Sequence, residues 1–314
     1  MSGKVPMRDG YGKALLELCA KRKDVMVLDA DVAKSTRTVW VRDQYPEHFL
    51  DMGISEQDMV GTAAGLALSG MIPFCSTYCV FLAGRAWDQI RTTVCYNKLN
   101  VKLGGAHAGI SVGPDGATHQ ALEDVALMRV LPNMTVIVPC DAEETRKATL
   151  AMAELNGPCF VRFGREAVPV VTDESTPFQV GKARLCRDGS DVAVLANGPM
   201  LYEAMNAAEV LSKEGVSVRV IDLHTVKPLD EEAVILAARE TGCIVTAEEH
   251  QVRGGMGSAV AECLAANCPV PMEMVGVQDS FGESGQPQEL MDKYGLNQEN
   301  IEAKIRAVLK RKNA

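Results

Sequence analysis

No Cys-x-x-Cys pair occurs among the ten cysteines of this chain, and none stands at zinc-finger spacing from a histidine. Thiols without such a framework suggest a reducing compartment, where cysteine serves as a small buried hydrophobe. The expected location is the cytoplasm. A basic surface is missing as well. Lys and Arg number 32 against 41 Asp and Glu, a net charge of −9, which disfavours a general nucleic-acid binder. The opening Met-Ser-Gly-Lys-Val-Pro has no apolar core of the kind a signal peptide needs. A Walker A motif is absent, and no G-x-G-x-x-G follows a strand with a ribose-binding acid downstream. Of the five histidines, His107 and His119 share one Gly-rich loop without the cysteines or clustered carboxylates zinc favours. No close repeat or low-complexity tract is present.

One absence is local. Residues 59–84 carry no charge, which by itself suggests a membrane span. Gly70, Pro73, Ser76 and Thr77 break the run, so it reads as a buried helix, a turn and a buried strand, with no membrane partner. Glu56 stands at its mouth. Such a carboxylate is either a helix N-terminal anion or a group held in a dry pocket for proton chemistry. The uncharged surroundings favour the second, because burial raises a carboxylate's pKa and suits it to proton relay.

What is present alternates. The chain has 314 residues, enough for one large or two ordinary domains. Helix 10–22, with Asp9 as N-cap, is followed by the strand Val25–Leu28, a small-residue helix after Glu56, a strand 72–77 and a helix 82–97. Strand 101–105, helix 121–131, strand 135–138, a helix 141–155 begun by Asp141 and strand 159–163 complete the first half. Pro169, Asp173, Ser175, Pro177 and Gly181 punctuate the middle. Strands 192–196, 216–223, 243–247 and 272–277 then alternate with helices 200–213, 230–240 and 257–267, and 287–312 reads as a helix broken near Gly295. The pattern predicts two doubly wound α/β domains with mostly parallel sheets, at 1–175 and 185–314.

Sites in open α/β sheets lie beyond the carboxyl ends of strands. Asp31 and Ser35 follow the first long strand, where ordinary turn chemistry is the more economical reading. Gly61, Ala64 and Gly65 would let another backbone approach the helix after Glu56. The Gly104–Gln120 loop holds His107, Asp115 and His119, and a loop of that length is functional more often than idle. Tyr78 and Phe81 could stack on a planar ring or simply fill the core. Arg165, at a strand end, suits a phosphate or carboxylate. Arg253-Gly-Gly-Met-Gly-Ser258 opens a helix and could hold an anion, with tight packing the plainer alternative.

Gly53-Ile-Ser-Glu-Gln57 with its Gly/Ala helix resembles the pyrimidine-domain motif of transketolases. Gly113-Pro-Asp-Gly-Ala-Thr-His-Gln120 is similar to that family's G-x-D-G-x-T-H-Q loop, and Pro132-Asn-Met134, Pro139-Cys-Asp141 and Val161-Arg-Phe-Gly-Arg165 fall in the family's order. Ile221-Asp-Leu-His-Thr-Val-Lys-Pro-Leu229 is similar to the C-terminal domain shared by transketolases, 1-deoxyxylulose-5-phosphate synthases and 2-oxoacid dehydrogenase beta subunits. The resemblance spans nearly the whole chain. Members of this group hold diphosphate and metal on a separate domain through a Gly-Asp-Gly motif, and no Gly-Asp-Gly occurs here.

The resemblance therefore implies the C-terminal subunit of a split transketolase. An N-terminal partner subunit would hold thiamine diphosphate and Mg²⁺ (or Ca²⁺ or Mn²⁺), in an α₂β₂ assembly. The implied reaction moves a two-carbon unit from a ketose phosphate such as xylulose 5-phosphate to an aldose phosphate such as ribose 5-phosphate, as in the pentose phosphate pathway. Glu56 is implied to hydrogen-bond the cofactor's pyrimidine nitrogen, with Phe81 and then Tyr78 stacking on the ring and Asp31 placed with the cofactor. The family's third aromatic position falls at Gly84. His119 is implied to shuttle protons at the donor hydroxyls, Asp115 to read the acceptor's C2 hydroxyl, and Ser35, His107 and Arg165 to contact the sugar phosphate. No metal ligand is assigned to this chain. Two other readings stand beside this one: a 2-oxoacid dehydrogenase beta subunit, and a non-catalytic subunit that kept the fold.

Overall fold

The computed structural model describes residues 3–312, so the domain ends drawn at residues 1 and 314 lie outside it. The short apolar runs form strands, and parallel strands covered on both faces need nearly continuous apolar sequence. The strands are β1 (Lys4–Pro6), β2 (Val25–Asp29), β3 (Phe49–Asp51), β4 (Ile72–Tyr78), β5 (Lys102–Ala106), β6 (Thr135–Ile137) and β7 (Cys159–Arg162). They continue as β8 (Ala167–Pro169), β9 (Arg184–Arg187), β10 (Val192–Ala196), β11 (Val218–Asp222), β12 (Thr225–Lys227), β13 (Ile244–Gln251) and β14 (Met272–Val277).

Seven strands build the first sheet in the order β12-β6-β7-β5-β4-β2-β3. Its pairs are parallel, with Val27 opposite Phe74 and Cys75 opposite Leu103, except at the rim, where β12 runs antiparallel to β6. That rim strand comes from the second half of the chain. The second sheet, β14-β13-β10-β11-β9, is parallel apart from β9. β1 and β8 form a small antiparallel ladder. The mostly parallel α/β architecture is the one the alternation predicts.

Helix boundaries follow local chemistry. The first helix spans Met7–Lys21 and starts after Pro6, not at Asp9. Asp9 falls in its first turn, and its carboxylate accepts the Arg37 Nε–H at 2.6 Å instead of capping. Asp141 does cap: its Oδ1 accepts the Glu144 N–H at 2.9 Å, while its Oδ2 takes the amides of Val171 and Thr172 at 2.7 Å. The helix Glu56–Leu68 buries Glu56, Met59, Val60, Ala63 and Ala64, an i, i+3, i+4, i+7, i+8 face. The expected helix 82–97 is instead three pieces, Cys79–Arg85, Trp87–Gln89 and a wide turn at Ile90–Cys95. Short strands β1, β3, β8, β9 and β12 span three or four residues each, too few for a periodic signal. All ten cysteines are free and eight are buried. Among the described residues no helix is long and apolar enough to cross a membrane.

The Gly-rich helix start at 254–257 is already filled. Glu248 accepts the amides of Met256 at 2.7 Å and Gly257 at 2.8 Å, so that feature is internal packing rather than a free anion seat. Gly104 has a comparable reason: Tyr11 lies against it, stacks on Phe163 at 4.7 Å and shares a 2.7 Å hydrogen bond with Ser76. A side chain at Gly104 would push the first helix off the sheet.

Candidate active site

The centre of the first sheet runs β7-β5-β4-β2. Each of these strands ends in a candidate group, so the sheet brings together residues far apart in the chain. β2 leads to Asp31 and Ser35, β4 to Tyr78 and Phe81, β5 to His107, and β7 to Arg165.

The turn after β2 is fixed by Asp29, whose carboxylate accepts from the Val32 amide at 2.7 Å and from the Thr36 and Thr38 hydroxyls at 2.7 and 2.8 Å. Burial pushes the Asp29 carboxyl up to about 6, against the pull of those donors. Asp31 is exposed, in the left-handed region at φ 62°. Six non-glycine described residues have positive φ, and Asp31, Arg37 and His107 are three of them. Such strain gathers at functional sites.

Ser35 Oγ lies 3.1 Å from the Tyr78 hydroxyl, which donates to it, and the Ser35 carbonyl accepts from Arg8 Nη1 at 3.3 Å. The Tyr78 ring meets the His107 ring at 4.4 Å and the His119 ring at 6.1 Å, and Phe81 meets His119 edge-on at 5.2 Å. His119 Nδ1 pairs with Thr118 Oγ1 at 2.9 Å. His107 is buried, and its Nδ1 has no hydrogen-bond partner. Burial, reinforced by the positive charges of Arg8, Arg165 and Arg37, holds its imidazole down to about 3. Arg165 Nη1 donates to the Val112 carbonyl at 3.1 Å and faces Asp115 at 3.4 Å.

Glu56 needs a correction. It is 4% exposed, as a dry carboxylate should be, but its surroundings are not uncharged. Arg85 Nη1 stands 3.4 Å from Oε1 and 3.5 Å from Oε2. Glu56 also begins its helix, where the macrodipole favours an anion, the first of the two readings of this carboxylate. Arg85 itself lies 3.9 Å over the Phe81 ring. A planar N–H-bearing cation thus links the Glu56 carboxylate to the Phe81 face. A flat aminopyrimidine offers the same two surfaces, so the residues fit the cofactor ring the resemblance implies.

The structure brings the expected residues Ser35, Tyr78, Phe81, His107, Asp115, His119 and Arg165 to one end of one sheet. The sequence reading missed Arg8, Arg37 and Arg85. Arg85 was findable, since it ends the uncharged run four residues after Phe81, a spacing that stacks side chains on a helix. Arg8 and Arg37 carry no local signal. The expected close approach at Gly61 and Gly65 is not made within this chain: both are exposed with nothing near them, whereas Ala64 is buried. Among the described residues, one buried group has metal-ligating atoms drawn together, Cys140, Glu144 and Asp222. Burial and the neighbouring Asp222 push the Glu144 carboxyl well up, and Arg184 donates to Asp222 at 2.8 Å. A thiol and a protonated acid suit a hard divalent cation poorly.

Known proteins extend this picture. The family model described as transketolase, pyrimidine binding domain, matches residues 3–171, and that described as transketolase, C-terminal domain, matches 181–301. The chain is 43% identical to the 6-deoxy-6-sulfo-D-fructose transketolase subunit SqwH of Clostridium sp. (strain MSTE9), over 98% of this chain and 95% of that protein. It is 38% identical to one subunit of the apulose-4-phosphate transketolase of Phocaeicola vulgatus, over 95% of each. A solved structure described as a split gene transketolase, inactive beta4 tetramer, superposes with a TM-score of 0.92 at 48% identity, covering 98% of this chain and 99% of that one.

Proposed function

The chain belongs to the transketolase family, as a C-terminal section, and we propose that it is one subunit of a two-chain, thiamine-diphosphate-dependent ketol transferase. The observation that carries this reading is the meeting of Tyr78, Phe81, His107 and His119 at the ends of β4 and β5, with Glu56 reached from Phe81 through Arg85. Bound thiamine diphosphate supplies the electron sink that lets a ketose break between C2 and C3.

This chain's residues orient and protonate. Glu56 holds the proton at the pyrimidine ring nitrogen, and Phe81, backed by Tyr78, offers the ring a face. Asp31 borders the cofactor from the end of β2. His119, with Nδ1 turned to Thr118, exchanges a proton with the donor hydroxyls through Nε2, and Asp115 reads the acceptor's C2 hydroxyl. Ser35, His107 and Arg165 line the seat of the sugar's acidic group. Arg8, which donates to the Ser35 carbonyl, joins them. The relatives are named for a sulfonated and a phosphorylated sugar; arginine forks suit both anions. We assign phosphorylated sugars, with xylulose 5-phosphate as donor and ribose 5-phosphate as acceptor.

Diphosphate and Mg²⁺ fall to an N-terminal partner subunit. Three features support a partner: the chain has no Gly-Asp-Gly, Gly61 and Gly65 are bare, and Ile54 and Leu68 are 73% and 76% exposed at the two ends of the same helix. An exposed apolar and glycine-lined helix face suits close packing by another chain. We assign an α₂β₂ assembly. The test mixes the purified chain with that partner, thiamine diphosphate, Mg²⁺ and the two sugar phosphates. Ketol transfer by the mixture and none by the chain alone is expected. Full turnover by the single chain would overturn the division of labour, and an inert mixture would overturn the activity.

A further inference from the structure

Glu248 and Glu249 are neighbours on β13, and alternate residues of a strand face opposite ways. Glu248 serves the second domain's own helix, as described above. Glu249 reaches the first domain: its Oε1 accepts the Ser111 amide at 2.7 Å. The carboxylate also fills the space beside Gly109 (φ 88°), where any side chain would overlap it. Arg162 reinforces the junction. Its Nη2 donates to the Glu249 carbonyl at 2.7 Å and to the Ala121 carbonyl at 3.2 Å, while its Nε pairs with Asp124 at 2.8 Å.

The far end of the same loop is held from the same side. Gln120 Nε2 donates to the Glu283 carbonyl at 2.9 Å and to the Ile110 carbonyl at 3.0 Å. Side chains at Gly116 and Gly282 would strike Ser284 and Gln120. The 107–120 loop therefore owes its shape to the second domain at both ends. Its glycines at 109, 113 and 116, all at positive φ, leave the backbone little stiffness of its own.

We propose that Glu249 is a positioning residue: it fixes residues 109–111, and so sets His107 on one side and Asp115 and His119 on the other against Tyr78 and Phe81. This rests on reading that loop as the substrate loop. A carboxylate suits the place because it is a strong acceptor for a backbone amide, and Arg162 opposes the burial that pushes its carboxyl up. Truncation leaves the Ser111 amide without its acceptor and opens the loop where it enters the site.

The test compares Glu249→Ala, Glu249→Gln and Glu248→Ala in the complex with the partner subunit. Glu249→Ala should lower kcat/KM by about tenfold or more, with KM for the sugars moving and the affinity for thiamine diphosphate unchanged. Glu249→Gln, which keeps an acceptor for Ser111, should stay within about threefold of wild type. Glu248→Ala should lower thermal stability without changing KM. Identical kinetic profiles for the two alanine variants would overturn the proposal. Hydrogen exchange gives a readout that needs no turnover: the Ser111 amide should exchange faster in Glu249→Ala than in Glu249→Gln or wild type, and equal rates would overturn it. Should the wild-type complex prove inert, the proposed activity fails while exchange still decides the role of Glu249.

Discussion

Arg85 lies 3.9 Å over the face of Phe81. The ring proposed to support the cofactor is therefore covered by a side chain of the same helix, and that side chain also reaches Glu56. Its exposure is 52%, so moving it aside costs little: a cation–π contact at such a site is worth about 0.5–1 kcal/mol. Arg85→Ala should tighten thiamine diphosphate binding to the assembled complex by about two- to fivefold. Titration calorimetry measures it. A loss of affinity would instead make Arg85 a cofactor contact.

Glu56→Gln keeps the shape of the side chain and removes its ability to hold a proton as an acid or base. Activity should fall by at least about a hundredfold, while the size of the complex and its thermal unfolding stay unchanged. Light scattering and a steady-state assay together check this. Wild-type turnover would remove Glu56 from its role.

Arg165, just beyond the end of β7, and Arg8, in the first helix, both act on His107 through their positive charge. Each alanine variant should raise KM for phosphorylated sugars by about tenfold or more and lower kcat much less. Unphosphorylated analogues serve as the control. An equal penalty with them would mean that neither arginine contacts the acidic group.

His107 should be neutral throughout the usual assay range. Its folded pKa is about 3, whereas the unfolded chain takes up that proton near about 6.5. Between those values the unfolded state binds more protons, so stability rises with pH. The contribution is fully present above the unfolded value and is lost as pH falls through the folded one. His107→Gln should flatten that part of the stability curve. The imidazole signals of His107 should not shift between about pH 5 and 8 in a nuclear magnetic resonance titration. An inflection near neutrality would contradict the burial argument.

Much of this site was legible because its groups sit where strands end. Asp31, Tyr78, His107 and Arg165 each follow an apolar run, and runs of that kind are the clearest signal in a parallel sheet. Strand order was not legible. Parallel strands in series do not announce their neighbours, and the order decides that β7 lies beside β5 and so brings Arg165 towards His107. Arg8 and Arg37 were hidden for the same reason, since only the packing of the first helix on the sheet brings them to the site. Glu249 was hidden further still, in the other domain, within a strand whose pattern records burial but not which loop it meets. The small-residue helix was read as a surface for close approach, and within this chain its bare glycines meet only solvent.

The rim strand Thr225–Lys227 gives the two halves a shared fate during folding. As the chain emerges, strands β2 to β7 can pair while β6 still presents a row of unpaired N–H and C=O groups on its outer side. That open border closes only after residue 227 has been made, and until then it can recruit the edge of another molecule. A fragment ending near the linker would keep the border permanently. The halves thus complete one sheet between them, and the nascent first half is most exposed to mispairing while residues 163–227 are made.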